Sequence, residues 1–212
     1  MYNCANCDLK GCSRGVFKES LSNCPNKNNE IQAKAKALYQ EKENKKIAYN
    51  AALVEAQGYG RMTRIEETIY FAKKCNYKKI GLIFCTGLSK EAKVVHNILT
   101  YHGFEVVSVQ CKNGGIEKSN LGISEEDTIS RKCSEIMCNP IGQALLVNEQ
   151  NTDFNVIMGL CVGHDTLVMK YLEAPMTTLA VKDRVTGHNP LAAIYLSESY
   201  YKRLYPKEKY KK

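Results

Sequence analysis

Strand-length apolar runs alternating with helix-patterned stretches constrain this chain more than any other feature. The longest apolar runs are 80–85 and 156–162, and both suit buried strands. Strands are expected over 79–85, 104–111, 155–161 and 176–182. Helical spacing covers 89–103, with Ser89 as its cap and Gly103 as its stop, then 124–137, 140–149, 166–173 and 190–205. Strands separated by helices pair in parallel, because each crossover returns the chain to the same end of the sheet. The expected fold is therefore α/β: a doubly wound, Rossmann-like parallel sheet of about four strands, covered on both faces.

This alternation is absent earlier in the chain. Residues 1–29 hold Cys4, Cys7, Cys12 and Cys24 and little apolar material. A zone of that kind forms no core alone, so it reads as a cysteine-rich module ordered by its metal. Residues 30–77 read as helices. Ile31, Ala35, Leu38 and Tyr39 recur at helical spacing, and Ile47, Ala51 and Val54 continue it. Gly58 and Gly60 then break the pattern. Thr63 and Glu66 make a capping box that opens a helix over 64–75. The expected organisation is a metal module over 1–29, a helical segment over 30–77 and an α/β domain over 78–212.

The chain carries 10 cysteines in 212 residues. A chain this long buries a sufficient core without disulfide staples, so the cysteines need another explanation. The N-terminus lacks the apolar stretch of a signal peptide, and no run reaches the length of a membrane span. The expected location is the cytoplasm, with no membrane partner. In that reducing compartment, grouped cysteines point to metal or thiol chemistry. The net charge of +8 suggests nucleic acid, but residues 202–212 alone contribute +5. A basic tail without interleaved aromatic and basic residues elsewhere argues against a nucleic-acid partner.

The cysteines sort into two sets. In the first, Cys4 and Cys7 are spaced to hold one metal from a tight turn, Gly11 lets the backbone fold back to Cys12, and Cys24 precedes Pro25. Four thiolates suit tetrahedral zinc or an iron–sulfur cluster. In the second, Cys85, Cys111 and Cys161 each end an expected strand, so all three fall on the carboxyl edge of the sheet, where ligands of open α/β folds bind. Cys138 joins them just before a helix that Asn139 caps and Pro140 begins. Taken singly, Cys85 and Cys161 read equally well as small apolar core residues. Cys75 and Cys133 read as structural.

Polar groups share that edge. His164 and Asp165 follow the third strand, Lys182, Asp183 and Arg184 follow the fourth, and His188 precedes a second Asn-Pro helix start. Histidine can move a proton near neutral pH, and Lys182 and Arg184 can bind a carboxylate. Each also has a plainer reading: Asp165 as a helix cap, and the lysine, aspartate and arginine as a salt-bridged turn. No dinucleotide fingerprint, phosphate loop or serine nucleophile elbow is present.

Together, the N-terminal cysteine group, Cys138-Asn139-Pro140, the string from Gly159 to Asp165, Lys182-Asp183-Arg184 and Gly187 to Pro190 resemble a known family over nearly the whole chain. This is a family of small bacterial and archaeal proteins catalogued as a domain of unknown function and labelled metal-binding. The resemblance implies metal binding, with no established substrate. Cys111, Cys138 and Cys161 also look similar, in number and placement, to the three cysteines with which cytoplasmic desulfidases hold a 4Fe–4S cluster. That analogy implies lyase-type chemistry at an iron left free for substrate.

The expected function is a cytoplasmic metal-binding protein with a 4Fe–4S cluster at the rim, held by Cys111, Cys138 and Cys161 with Cys85 as a further ligand. Its substrate would be a small sulfur-containing or anionic molecule. Cys4, Cys7, Cys12 and Cys24 would hold zinc or a second cluster. A redox partner and a homodimer are also compatible. The alternative is a zinc-binding regulatory or metal-handling module without enzymatic activity.

Overall fold

The computed structural model describes residues 1–17, 20–132 and 134–210. They form two compact units, residues 1–59 and 60–212.

In the first unit, three single 3-10 turns, Cys4–Asn6, Gly11–Arg14 and Pro25–Lys27, precede helices α1 (Asn29–Leu38) and α2 (Lys42–Gly58). No described residue among the first 29 is buried. The Asn28 side chain caps α1 by accepting from the Ile31 N–H. Glycine is needed at residue 11 because a Cβ there would stand 2.3 Å from the Val16 carbonyl oxygen, where the chain doubles back.

The second unit begins with α3 (Arg64–Lys74). The Thr63–Glu66 capping box forms as its sequence signals. Then follow β1 (Lys79–Phe84), α4 (Ser89–Tyr101), β2 (Glu105–Gln110), α5 (Pro140–Glu149), β3 (Phe154–Met158), α6 (His164–Tyr171), β4 (Met176–Ala180) and α7 (Pro190–Tyr195). All strand pairs are parallel, in the order β2-β1-β3-β4. The expected α/β fold with a four-stranded parallel sheet is the fold observed.

Side-chain alternation along β1 and β3 builds two core layers. Ile80 and Leu82, with Phe154, Val156 and Met158, pack against Ile69 and Ala72 of α3 and Ala92 and Leu99 of α4. Ile83 and Ile157 pack on the opposite face against Val147 of α5 and Val168 of α6. Cys75 is buried in the first layer. Cys85 and Cys111 belong to the second, with Cys138 packed against it. Cys133 lies outside the described residues.

Three expectations fail for local reasons. The helix expected over 124–137 is absent among its described residues, where a single 3-10 turn spans Glu125–Asp127. Side chains there satisfy the backbone without a helix. The Thr128 hydroxyl donates to the Glu125 carbonyl, and the Glu135 carboxylate accepts from both the N–H and the hydroxyl of Ser130. Ile136 instead forms an antiparallel bridge with Glu117. Ser89 does not cap α4. It is the first helical residue, and its hydroxyl donates to the Thr86 carbonyl. The last helix stops at Tyr195 rather than continuing to 205, and the chain turns so that the Tyr201 N–H bonds the Leu196 carbonyl. No helix among the described residues is long and apolar enough to cross a membrane.

Candidate functional site

The strand order places the topological switch between β1 and β3, whose crossovers leave in opposite directions. Cys85 follows β1 directly, and its N–H bonds the Met158 carbonyl at 3.2 Å, tying the ends of the two central strands together. Cys111 follows β2 in the same way, through a 2.9 Å bond from its N–H to the Phe84 carbonyl. The Cys111 carbonyl in turn accepts the Asn139 N–H at 2.7 Å, which draws the start of α5 onto the end of β2. Asn139 caps α5 by accepting from the Gly142 N–H at 2.9 Å, and its Nδ2 bonds Asn113 Oδ1 at 3.0 Å. This framework sets the Cys138 and Cys111 sulfurs 3.6 Å apart.

Two residues not singled out in the sequence support this pair. The Thr86 N–H donates to Cys111 Sγ at 3.3 Å. Fully buried Gln143 donates from Nε2 to the Phe84 and Val109 carbonyls at 3.1 and 2.8 Å, fixing the two strand ends that carry Cys85 and Cys111. A glutamine one turn inside an otherwise apolar helix start was the signal available in the sequence. Burial pushes the Cys111 thiol up to about 12, with the Cys138 and Cys85 thiols adding to the effect against the Thr86 hydrogen bond. It is therefore a neutral thiol near pH 7 unless a cation displaces its proton.

The second half of the site follows β3 and β4. Cys161 is partly exposed, and its sulfur accepts from the Arg184 guanidinium at 3.2 Å. His164 opens α6, with its N–H on the Cys161 carbonyl. Burial holds its imidazole below the usual value, Asp165 opposes this, and Lys112, Lys118 and Arg184 add to it. Asp165 accepts from the Thr166 N–H in the first turn of α6. Lys182 is half-buried at the end of β4, and no hydrogen bond or ion pair to its ammonium is found among the described residues.

Asp183 and His188 serve mainly to close their own loop. Asp183 Oδ1 accepts the Val185 and Thr186 N–H groups, the Asp183 N–H donates to His188 Nδ1 at 3.0 Å, and the His188 N–H returns to the Asp183 carbonyl at 2.8 Å. His188 adopts a positive φ of 67° to complete it. His188 Nδ1 is thereby an acceptor, which leaves Nε2 to carry the ring proton.

In the first unit, Cys4, Cys7, Cys12 and Cys24 all line one cavity of about 190 Å³. The Cys7 N–H bonds the Cys4 carbonyl at 3.2 Å, which is the tight turn their spacing implies. Among the described residues, no three Cys, His, Asp or Glu side chains are gathered closely enough to hold a metal as they stand, and no disulfide joins the described cysteines. The donor types nonetheless fit thiophilic metals. Two thiolates on one tetrahedral zinc lie about 3.8 Å apart, given bonds of about 2.3 Å, and the Cys111–Cys138 separation of 3.6 Å matches that edge.

A family model described as "Protein of unknown function (DUF1847)" matches residues 24–179. The chain is also 46% identical over 201 residues to "Uncharacterized protein MJ0455" of Methanocaldococcus jannaschii, an alignment that covers 95% of this chain and 97% of that protein.

Proposed function

The chain belongs to the DUF1847 family, and on that premise we propose that it is a cytoplasmic thiolate metalloprotein. One metal centre sits at the rim of the sheet and another in the N-terminal unit. The observation that carries this reading is the 3.6 Å approach of Cys111 and Cys138 at the carboxyl edge, with Cys85 and Cys161 arriving there from two further segments. That separation favours both thiolates on one ion. The number of cysteines supports a second reading, a 4Fe–4S cluster held by Cys111, Cys138 and Cys161. Cluster thiolates bind different irons, so that reading requires the pair to spread. The four cysteines around one N-terminal cavity suit closed structural zinc or a second cluster.

A rim metal with an open coordination position would act as a Lewis acid toward a small sulfur-containing or anionic substrate. Around it, Arg184 holds Cys161, Gln143 fixes the strand ends, and neutral His164 can accept a proton. A regulatory zinc protein without a reaction is the competing function. It would place structural zinc at the N-terminal cavity and leave the rim thiols as metal-transfer or redox-sensing groups.

Metal, iron and acid-labile sulfide contents after anaerobic purification test the proposal. The expected result is stoichiometric thiolate-bound metal that falls by one centre in Cys111→Ser. Sulfide equal to iron would select the cluster, and zinc without sulfide the single ion. Metal content unchanged in Cys111→Ser would overturn the rim centre.

A further inference from the structure

We infer a binding subsite for a small oxyanion at the β1/β3 switch point, formed by the Lys182 ammonium over the backbone of Gly87 and Gly159. The inference deepens the proposed function by naming what holds the charged end of the substrate, and it rests on the reading of the rim as the reacting site.

Lys182 leaves β4 but reaches across the edge. Its Nζ lies 3.7 Å from where a Cβ on Gly87 would stand, and 3.8 Å from the same point on Gly159. Gly87 follows β1 and Gly159 follows β3, so the ammonium sits over the switch itself. A half-buried ammonium loses hydration, and an opposite charge normally compensates the loss. The acids of the neighbouring loops do not supply one. Asp183 is turned into its own loop, and Asp165 accepts from its helix. The nearest other cation of that loop, Arg184, is engaged by the Cys161 sulfur. The lysine is therefore the cation left to meet an incoming anion.

The two glycines differ in role. Gly159 has a φ of +64°, and a Cβ there would stand 2.1 Å from Leu88 Cδ1, so its backbone and packing alone require glycine. Gly87 has no such constraint. A Cβ at that residue would make ordinary contacts, 3.7 Å from Lys182 Nζ and 3.8 Å from Cys85 Sγ. The missing side chain leaves room beside both the ammonium and a rim thiol. A ligand whose oxyanion meets Lys182 would thus present its remainder to the cysteines. An ammonium is a point charge without a planar fork, so the chemistry it selects is a small oxyanion, of carboxylate or sulfate type.

Equilibrium dialysis of the full-length protein against labelled acetate and labelled sulfate, at ionic strength balanced with chloride, tests this. Saturable binding of about one anion per chain is expected. Acetate binding would assign a carboxylate, and sulfate binding a tetrahedral oxyanion. Lys182→Gln should weaken binding at least tenfold, and Lys182→Arg should stay within a few-fold of the parent. Gly87→Ala should fold normally yet bind several-fold more weakly, while Lys170→Gln on α6 should bind as the parent does. No saturable binding of either anion, or unchanged binding in Lys182→Gln, would overturn the inference. Metal content is measured on the same samples. Lys182→Gln should keep it, so loss of the anion site and failure of the metal reading give different results.

Discussion

Among single residues, those that shape the backbone at the rim are separable from those that meet solvent there. Gly103 closes α4 at a φ of +88° with nothing within 4 Å of where a methyl would stand, whereas Gly159 combines a positive φ with the Leu88 clash. Gly103→Ala should cost about 1 kcal/mol, from the backbone alone. Gly159→Ala should cost about 3 kcal/mol, because overpacking adds to the same backbone term. Urea unfolding of both variants checks the difference. Residue roles were only partly legible in the sequence. Lys182, Asp183 and Arg184 are adjacent, yet one faces the switch point, one folds its own loop and one meets a sulfur. Adjacency does not encode those directions. The turn through Thr186 and His188 sets them.

The elements with a buried face were readable. β1 and β3 follow from their apolar runs, and α3 and α5 from a capping box and an Asn-Pro start. The segment from Ile116 to Met137 was not, because its acids and hydroxyls bond locally and no apolar face decides between turn and helix. Its order depends on Glu135, which bonds Ser130 and pairs with Lys118 at 2.5 Å. Hydrogen bonding to Lys118 and Ser130 holds that carboxyl down to about 2, against an ordinary 4.5. Its contribution is therefore complete above about 4.5 and is lost as pH falls toward 2. Exchange protection in this segment, taken relative to the intrinsic amide rate at each pH, should fall across that window, and Glu135→Gln should weaken that fall. Within α5, Gln143→Leu should cost about 1–3 kcal/mol, since it removes two buried side-chain hydrogen bonds to the strand ends, although the Phe84 carbonyl keeps the Cys111 N–H. Faster alkylation of Cys111 by iodoacetamide in that variant would show that the strand ends had loosened.

For the whole molecule, the division into residues 1–59 and 60–212 gives the two cysteine groups separate consequences. The first 29 residues bury none of their described side chains, so a metal there would act as a folding ligand. Cys7→Ser should make this stretch sensitive to limited proteolysis while the α/β unit stays folded. Cys161→Ser should keep both units folded and lose rim metal and any activity. Unfolding of the whole chain by Cys7→Ser would contradict the separation.

Whether sulfur at the sheet edge binds metal can be read from X-ray absorption at the metal edge. The sample is the full chain carrying Cys7→Ser and Cys24→Ser, which leaves the rim as the remaining centre. The expected result is retained metal with at least two sulfur neighbours at about 2.3 Å. Metal lost altogether, or held by oxygen and nitrogen without sulfur, would contradict it.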